Sequence, residues 1–155
     1  MTLYDTFSAI DGSALGTSIK ESLWLFPAIE AVHLLALALL GGSLLMLDLR
    51  LLGTGLIQQP AAQLEKSARP FLVGAVVTLI VTGVLIGMSE ALKLYDKDAF
   101  WVKMSVLATA LIFTFAIKQP LVQRGVTGWQ ARGLAVLSLT LWLGVAAAGR
   151  WIGFS

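Results

Sequence analysis

The chain has 155 residues, of which 57% are hydrophobic and only 13% are charged. Soluble globular proteins carry about 45–50% apolar and about 25% charged residues, so this composition excludes an ordinary soluble domain and indicates a membrane protein. The chain has no cysteine and one histidine. Disulfides, thiolate metal sites and sites that need two histidines of one chain are therefore excluded. A net charge of +2 is too small to indicate a nucleic-acid partner.

Four apolar segments are long enough to cross a bilayer, which takes about 20 mostly apolar residues. In chain order they cover about residues 23–47, 71–89, 100–117 and 133–151. Residues 2–20 are more polar and predict a short segment at the membrane surface. Four spans with short connections predict an all-α fold, an up-down-up-down four-helix bundle that forms a single transmembrane domain over residues 1–155.

The charged residues predict the orientation of this bundle. The first and third connections hold six basic residues: Arg50, Lys66, Arg69, Lys118, Arg124 and Arg132. Their only acidic residues are Asp48 and Glu65, whereas acidic residues are more numerous around the termini and the second connection. By the positive-inside rule, we predict that the protein lies in a bacterial inner membrane with both termini in the periplasm.

Two ionisable residues lie inside the first span. Glu30 and His33 are three positions apart and therefore share one helical face. His33 follows Trp24 by nine residues, about 13 Å along a helix, which is well inside the hydrocarbon. Charged groups near the middle of a membrane cost at least about 2.5 kcal/mol, so this pair indicates a functional site.

Other polar and sulfur-containing side chains are expected at the same depth. An antiparallel bundle brings the start of the third span, with Lys103 and Met104, to the same end as Met88 and Arg150. Each has an ordinary explanation alone, since lysine and arginine extend to the interface and methionine fills cores. Their convergence with Glu30 and His33 favours a binding site.

The first hypothesis for this site is a haem b group with His33 as axial ligand to the iron. Lys103 and Arg150 would neutralise the propionates, and Glu30 would orient or tune the site. Met88 and Met104 are candidates for the sixth ligand, as is a second subunit. The protein would then transfer electrons or handle haem, as an oxidoreductase or an electron-transfer subunit.

Three alternatives remain open. His33, Glu30 and a methionine could bind copper or another metal ion for transport, because soft thioethers suit Cu(I). Glu30 and His33 could relay protons. The polar groups could instead mediate assembly, with the chain as an accessory subunit of a larger membrane complex. A homo-oligomer is also expected, since a 16.5 kDa bundle offers few contacts to enclose a large cofactor. The lipid bilayer is the partner common to all these hypotheses.

Two stretches carry a family resemblance. Residues 31–42, AVHLLALALLGG, resemble the first core helix of the copper-resistance protein D superfamily. Residues 100–107, FWVKMSVL, are similar to a helix start in the membrane-embedded bacterial protoporphyrinogen oxidase of the HemJ type. That resemblance implies roles for His33 and Lys103 in haem binding and activity.

The chain as a whole also resembles a family of small four-span bacterial membrane proteins. The shared features are a long first span with Glu-x-x-His and a Gly-Arg-Trp ending, here Gly149, Arg150 and Trp151. The third span departs from the oxidase pattern, because residues 108–115 contain neither histidine nor tyrosine. This departure argues against protoporphyrinogen oxidation.

Overall fold

The computed structural model describes residues 2–152 and 154, and the chain begins with two short helices, α1 (Leu3–Asp11) and α2 (Ala14–Glu21). Thr2 caps α1 by accepting from the backbone N–H of Asp5, whose carboxylate accepts from the N–H of Thr2. This reciprocal pair satisfies two of the free N–H groups at a helix start. The polar N-terminal segment is therefore helical.

Four long helices follow, and each is long and apolar enough to cross a membrane. They are α3 (Leu25–Leu52), α4 (Ala61–Ser89), a composite third helix and α8 (Gly128–Ile152). The third helix comprises α6 (Asp98–Ile112), a π-helical segment (Phe113–Lys118) and α7 (Gln119–Gln123), and the short α5 (Ala91–Tyr95) precedes it. Residues 2–152 and 154 contain no strand. The predicted all-α four-helix bundle is confirmed, and the chain is a multi-pass membrane protein.

The helices extend beyond the predicted spans at one end of the bundle. Helix α3 continues past residue 47 to Leu52, and α4 begins at Ala61 rather than near residue 71. Gly53 ends α3 in the left-handed conformation, with φ of 79°, which glycine adopts without strain. The extra turns contain charged residues that apolar counting excludes, and two of them, Asp48 and Glu65, are buried within the bundle.

The two ends of the bundle have opposite character. The acidic end is formed by α1, α2 and α5, and the basic end by the connections at residues 53–60 and 124–127. At the acidic end α2 packs on the last turn of α4, because a Cβ on Gly16 would lie only 2.7 Å from the carbonyl oxygen of Met88. Glycine is therefore required at position 16 for this contact.

The bundle is packed mainly where α3 contacts α4 and where α8 contacts α6 and α3. One buried cluster near the basic end comprises Leu47, Leu51, Leu64, Val122, Ala131 and Ala135. A second, nearer the middle, comprises Leu40, Leu44, Leu72 and Ala75. Large apolar side chains are exposed along the outside of the helices, among them Leu35, Val77 and Leu143. So much apolar surface is atypical of soluble monomers, which indicates contact with lipid.

Candidate functional site

His33 is half-buried between α3 and α4. Its Nδ1 lies 2.7 Å from Oγ1 of Thr82. The Thr82 hydroxyl donates to the carbonyl oxygen of Thr78 at 2.7 Å. A hydroxyl has one proton to donate, so Nδ1 of His33 donates to Thr82. The imidazole therefore has its proton on Nδ1 and a lone pair on Nε2, which has no hydrogen-bond partner among residues 2–152 and 154.

Two of the predicted neighbours of His33 lie at the same end of the bundle. Glu30 precedes His33 by about one turn on α3 and is exposed, whereas Lys103 lies on α6. Lys103 is half-buried and lies along α8, where a Cβ on Gly149 would be 3.7 Å from its Nζ. The imidazole also contacts α4, since a Cβ on Gly83 would be 3.5 Å from Cε1 of His33. The acidic end thus combines an imidazole, a carboxylate and an ammonium group.

The other predicted site residues share this end without joining the group. Arg150 is exposed, and its guanidinium lies 4.6 Å from the centre of the Phe154 ring. Met104 is 43% exposed, and Met88 is half-buried beneath α2. No hydrogen bond or ion pair in the described part of the chain connects any of these three to His33. In the same residues, no group of three or more His, Asp or Glu side chains could hold a metal ion.

A second polar group, absent from the sequence prediction, lies nearer the basic end. Asp48, Lys118 and Ser138 each have 0% exposure. The Nζ of Lys118 forms an ion pair with Oδ1 of Asp48 at 2.5 Å and donates to Oγ of Ser138 at 2.8 Å. That hydroxyl donates to Oδ2 of Asp48 at 2.8 Å. The three side chains form a closed ring of polar contacts, here called the buried triad.

The π-helical segment positions one member of the triad. Lys118 is its last residue, and a π turn adds one residue to the helical repeat. The residues beyond it are therefore rotated by about 100° relative to a continuous α-helix. Within the same segment, Thr114 accepts a hydrogen bond of 3.1 Å from Nε1 of Trp142 on α8. Two polar side chains of the π segment, Thr114 and Lys118, therefore contact residues of α8.

The sequence prediction assigned Asp48 and Lys118 to the connections because both follow apolar runs. The structure corrects this assignment, since both lie within helices and pair with each other. The opposite charges of these two residues, at matching depth on two spans, could have indicated that they pair. Ser138 gave no such indication, because a serine in an apolar helix is common and usually bonds its own backbone.

A further buried polar residue, outside the triad, lies at the basic end. Glu65 on α4 is 1% exposed and accepts a hydrogen bond of 3.0 Å from Nε2 of Gln123. Its other oxygen, Oε1, has no partner in the described residues. Both acidic residues of this end, Asp48 and Glu65, are therefore buried. The charges left at its surface are all basic: Arg50, Lys66, Arg69, Arg124 and Arg132.

The two polar regions differ in what they can do chemically. The triad pairs its charges internally, whereas His33 presents an unpartnered nitrogen lone pair that can bind a metal centre or a proton. Residues 11–155 match the model of a family described as "Family of unknown function (DUF6644)". No curated protein matches the chain, and no solved structure matches it. Because the match covers nearly the whole sequence, the chain belongs to the DUF6644 family.

Proposed function

We propose that the protein binds haem b through Nε2 of His33 and transfers electrons or handles haem at the acidic end of the bundle. The observation that carries the proposal is the chain from His33 to Thr82 to the Thr78 carbonyl. Metal-binding histidines usually donate their other ring N–H to a protein acceptor, which fixes the tautomer and the ring orientation. His33 has this arrangement, with Nε2 unpartnered.

The ligand inventory favours haem over a bare metal ion. A haem iron is held by as little as one axial histidine, because the porphyrin supplies its remaining nitrogen ligands. A copper or zinc ion takes several ligands from the protein, and no cluster of three His, Asp or Glu side chains occurs in the described residues. A copper site would need His33, Glu30 and a methionine, and the Met104 side chain is 43% exposed.

The charges near His33 support the same cofactor. Haem b carries two propionate carboxylates, which basic side chains can bind. Lys103 packs against Gly149 on α8, and Arg150 is the next residue of that helix. We infer that these two residues bind the propionates and that Glu30 balances their charge. The likeness of residues 31–42 and 100–107 to the copper-resistance protein D and HemJ-type families supports this assignment of His33 and Lys103.

A bound haem b would supply reversible one-electron transfer at its iron. The chain would contribute the orientation of the imidazole through Thr82, the charge of Lys103 and a half-buried, apolar setting. Met88 is the better placed of the two methionines to provide a sixth ligand, since it is half-buried whereas Met104 faces outward.

The test is an absorption spectrum of the detergent-purified protein, expressed with ample haem precursor and measured with and without reductant. We expect a Soret band, iron in near-stoichiometric amount, and loss of both in His33→Ala. Trp142→Phe is the matched control, because it also removes a nitrogen heterocycle from the bundle, and it should keep the band.

Three outcomes would overturn the proposal. The first is a protein without a Soret band despite available haem. The second is a protein with bound copper in place of iron, which would favour metal transport. The third is a His33→Ala variant that retains its cofactor but loses a co-purifying partner, which would assign His33 to assembly of a larger complex.

A further inference from the structure

We propose that the groove between α3 and α4 at the basic end binds an acidic phospholipid, with an acyl chain in the groove and the phosphate at Arg50. This inference is independent of the haem proposal, which concerns the opposite end of the bundle. It depends on the shape of the groove, the free donors of Arg50 and the burial of both acidic residues nearby.

The groove is open to the lipid side of the bundle. Small residues on both helices create it, Ala38 and Gly42 on α3 and Ser67 and Ala68 on α4, and the larger Met46 and Phe71 complete its apolar wall. Arg50 follows Met46 by four residues, so it lies on the same side of α3, about 6 Å closer to the basic end. An acyl chain in the groove would therefore have its headgroup beside Arg50.

Arg50 has N–H groups that are not used in hydrogen bonds within the described residues. Its Nε donates to the backbone carbonyl oxygen of Gln59 in the connection between α3 and α4, which anchors the side chain at the basic end of these two helices. A guanidinium has five N–H donors, and the side chain has no other partner in the described part of the chain. Two parallel N–H groups match the oxygen spacing of a phosphate.

Charge decides between the candidate occupants. Among the described residues, the charged side chains at the surface of the basic end are all basic. The two acidic residues of this end are buried, because Asp48 pairs with Lys118 and Glu65 packs against Gln123. A second copy of the chain in the same orientation would bring an identical set of cations to the interface. An anionic headgroup instead complements them, and basic sites between membrane helices bind such lipids.

Native mass spectrometry of the full-length protein in detergent tests this inference by titration. The probes are phosphatidylglycerol and phosphatidylcholine with identical acyl chains. We expect preferential binding of phosphatidylglycerol, and Arg50→Gln should weaken it about fivefold, the effect of one basic residue near an anionic surface. Arg69→Gln is the charge-matched control, because Arg69 lies about 200° around α4 from Ser67. It should leave the affinity within twofold.

A second pair of variants tests the groove itself. A Cβ on Gly41 or on Gly42 would meet no atom within 4 Å, so a side chain can begin at either position without a clash at its Cβ. Only Gly42 lines the groove, so Gly42→Leu should remove the preference for phosphatidylglycerol while Gly41→Leu retains it.

Equal binding of the two lipids would overturn the inference. Equal losses of phosphatidylglycerol binding in the two glycine variants, or in the two arginine variants, would also overturn it. Dissociation of an oligomer by Gly42→Leu, with unchanged lipid binding, would instead assign the groove to a second copy.

Discussion

Placing polar groups inside a membrane costs free energy, and the two polar regions of this bundle differ in how they offset that cost. The triad of Asp48, Lys118 and Ser138 is excluded from solvent and pairs its charges with one another. His33 is half-buried and uses one ring nitrogen, and the other has no partner within the described part of the chain. A closed group restrains the register of the helices that it joins, whereas an open group is available to a ligand. Burial alone therefore does not identify a functional site in a membrane protein.

The closed region joins three of the four long helices. Asp48 belongs to α3, Lys118 to the π segment and Ser138 to α8. A buried ion pair adds little net stability over apolar packing, but removing one partner leaves an uncompensated charge. We therefore infer that the triad fixes the rotation of the third helix against its neighbours.

The largest expected effect is that of Lys118→Met. It leaves the Asp48 carboxylate buried without its cation, which costs about 3–5 kcal/mol in buried pairs. We expect the free energy of unfolding in detergent micelles to fall by that order, measured by denaturant titration of helicity. Asp48→Asn combined with Lys118→Met removes both charges, so the double variant should recover most of the loss. A double variant less stable than Lys118→Met would contradict the closed-pair interpretation.

The second effect concerns the open region. Thr82→Val keeps the side-chain shape but removes the oxygen that accepts from Nδ1 of His33. Without this hydrogen bond the tautomer of His33 is no longer fixed. Loss of such a partner lowers metal affinity about 10–100-fold, and we expect haem affinity in an absorbance titration to fall by this factor. Thr78→Val is the matched control, since the hydroxyl of Thr78 bonds only the carbonyl of Gly74. Equal affinities for the two variants would refute the proposed role of Thr82.

A smaller effect is expected for Trp142→Phe. This substitution removes the 3.1 Å hydrogen bond to Thr114, worth about 1 kcal/mol or less in a membrane. The free energy of unfolding should fall by that amount, and the Soret band should be unchanged. A shift or loss of the band would show that the two regions are coupled and would contradict their assignment to separate roles.

The smallest effect is expected for Met104→Leu. The Met104 side chain is 43% exposed and faces outward from α6, so it should not contact a cofactor at His33. The reduced-minus-oxidised spectrum and the midpoint potential should match those of the unmodified protein. A change from a low-spin to a high-spin spectrum would identify Met104 as the sixth ligand and sharpen the description of the open region.

Much of the fold is predictable from local properties of the sequence. The four apolar runs and the length of a bilayer span predict four membrane helices, and the spacing of Glu30 and His33 predicts a shared face. The ends of the helices are less predictable. Charged residues at the end of an apolar run indicate the interface between membrane and water. Only the pairing of Asp48 with Lys118 shows that these two residues lie inside helices that continue beyond them.

The sequence by itself determined the class of this protein, the number of its spans and the identity of the only imidazole that can act as a ligand. The tertiary structure decided which polar residues meet. Asp48 and Ser138 are 90 positions apart, and both meet Lys118 at the end of the π segment of a third helix. The tautomer of His33 likewise depends on Thr82 of another helix. Composition and periodicity report each helix separately, whereas these contacts arise only from the packing of one helix against the next.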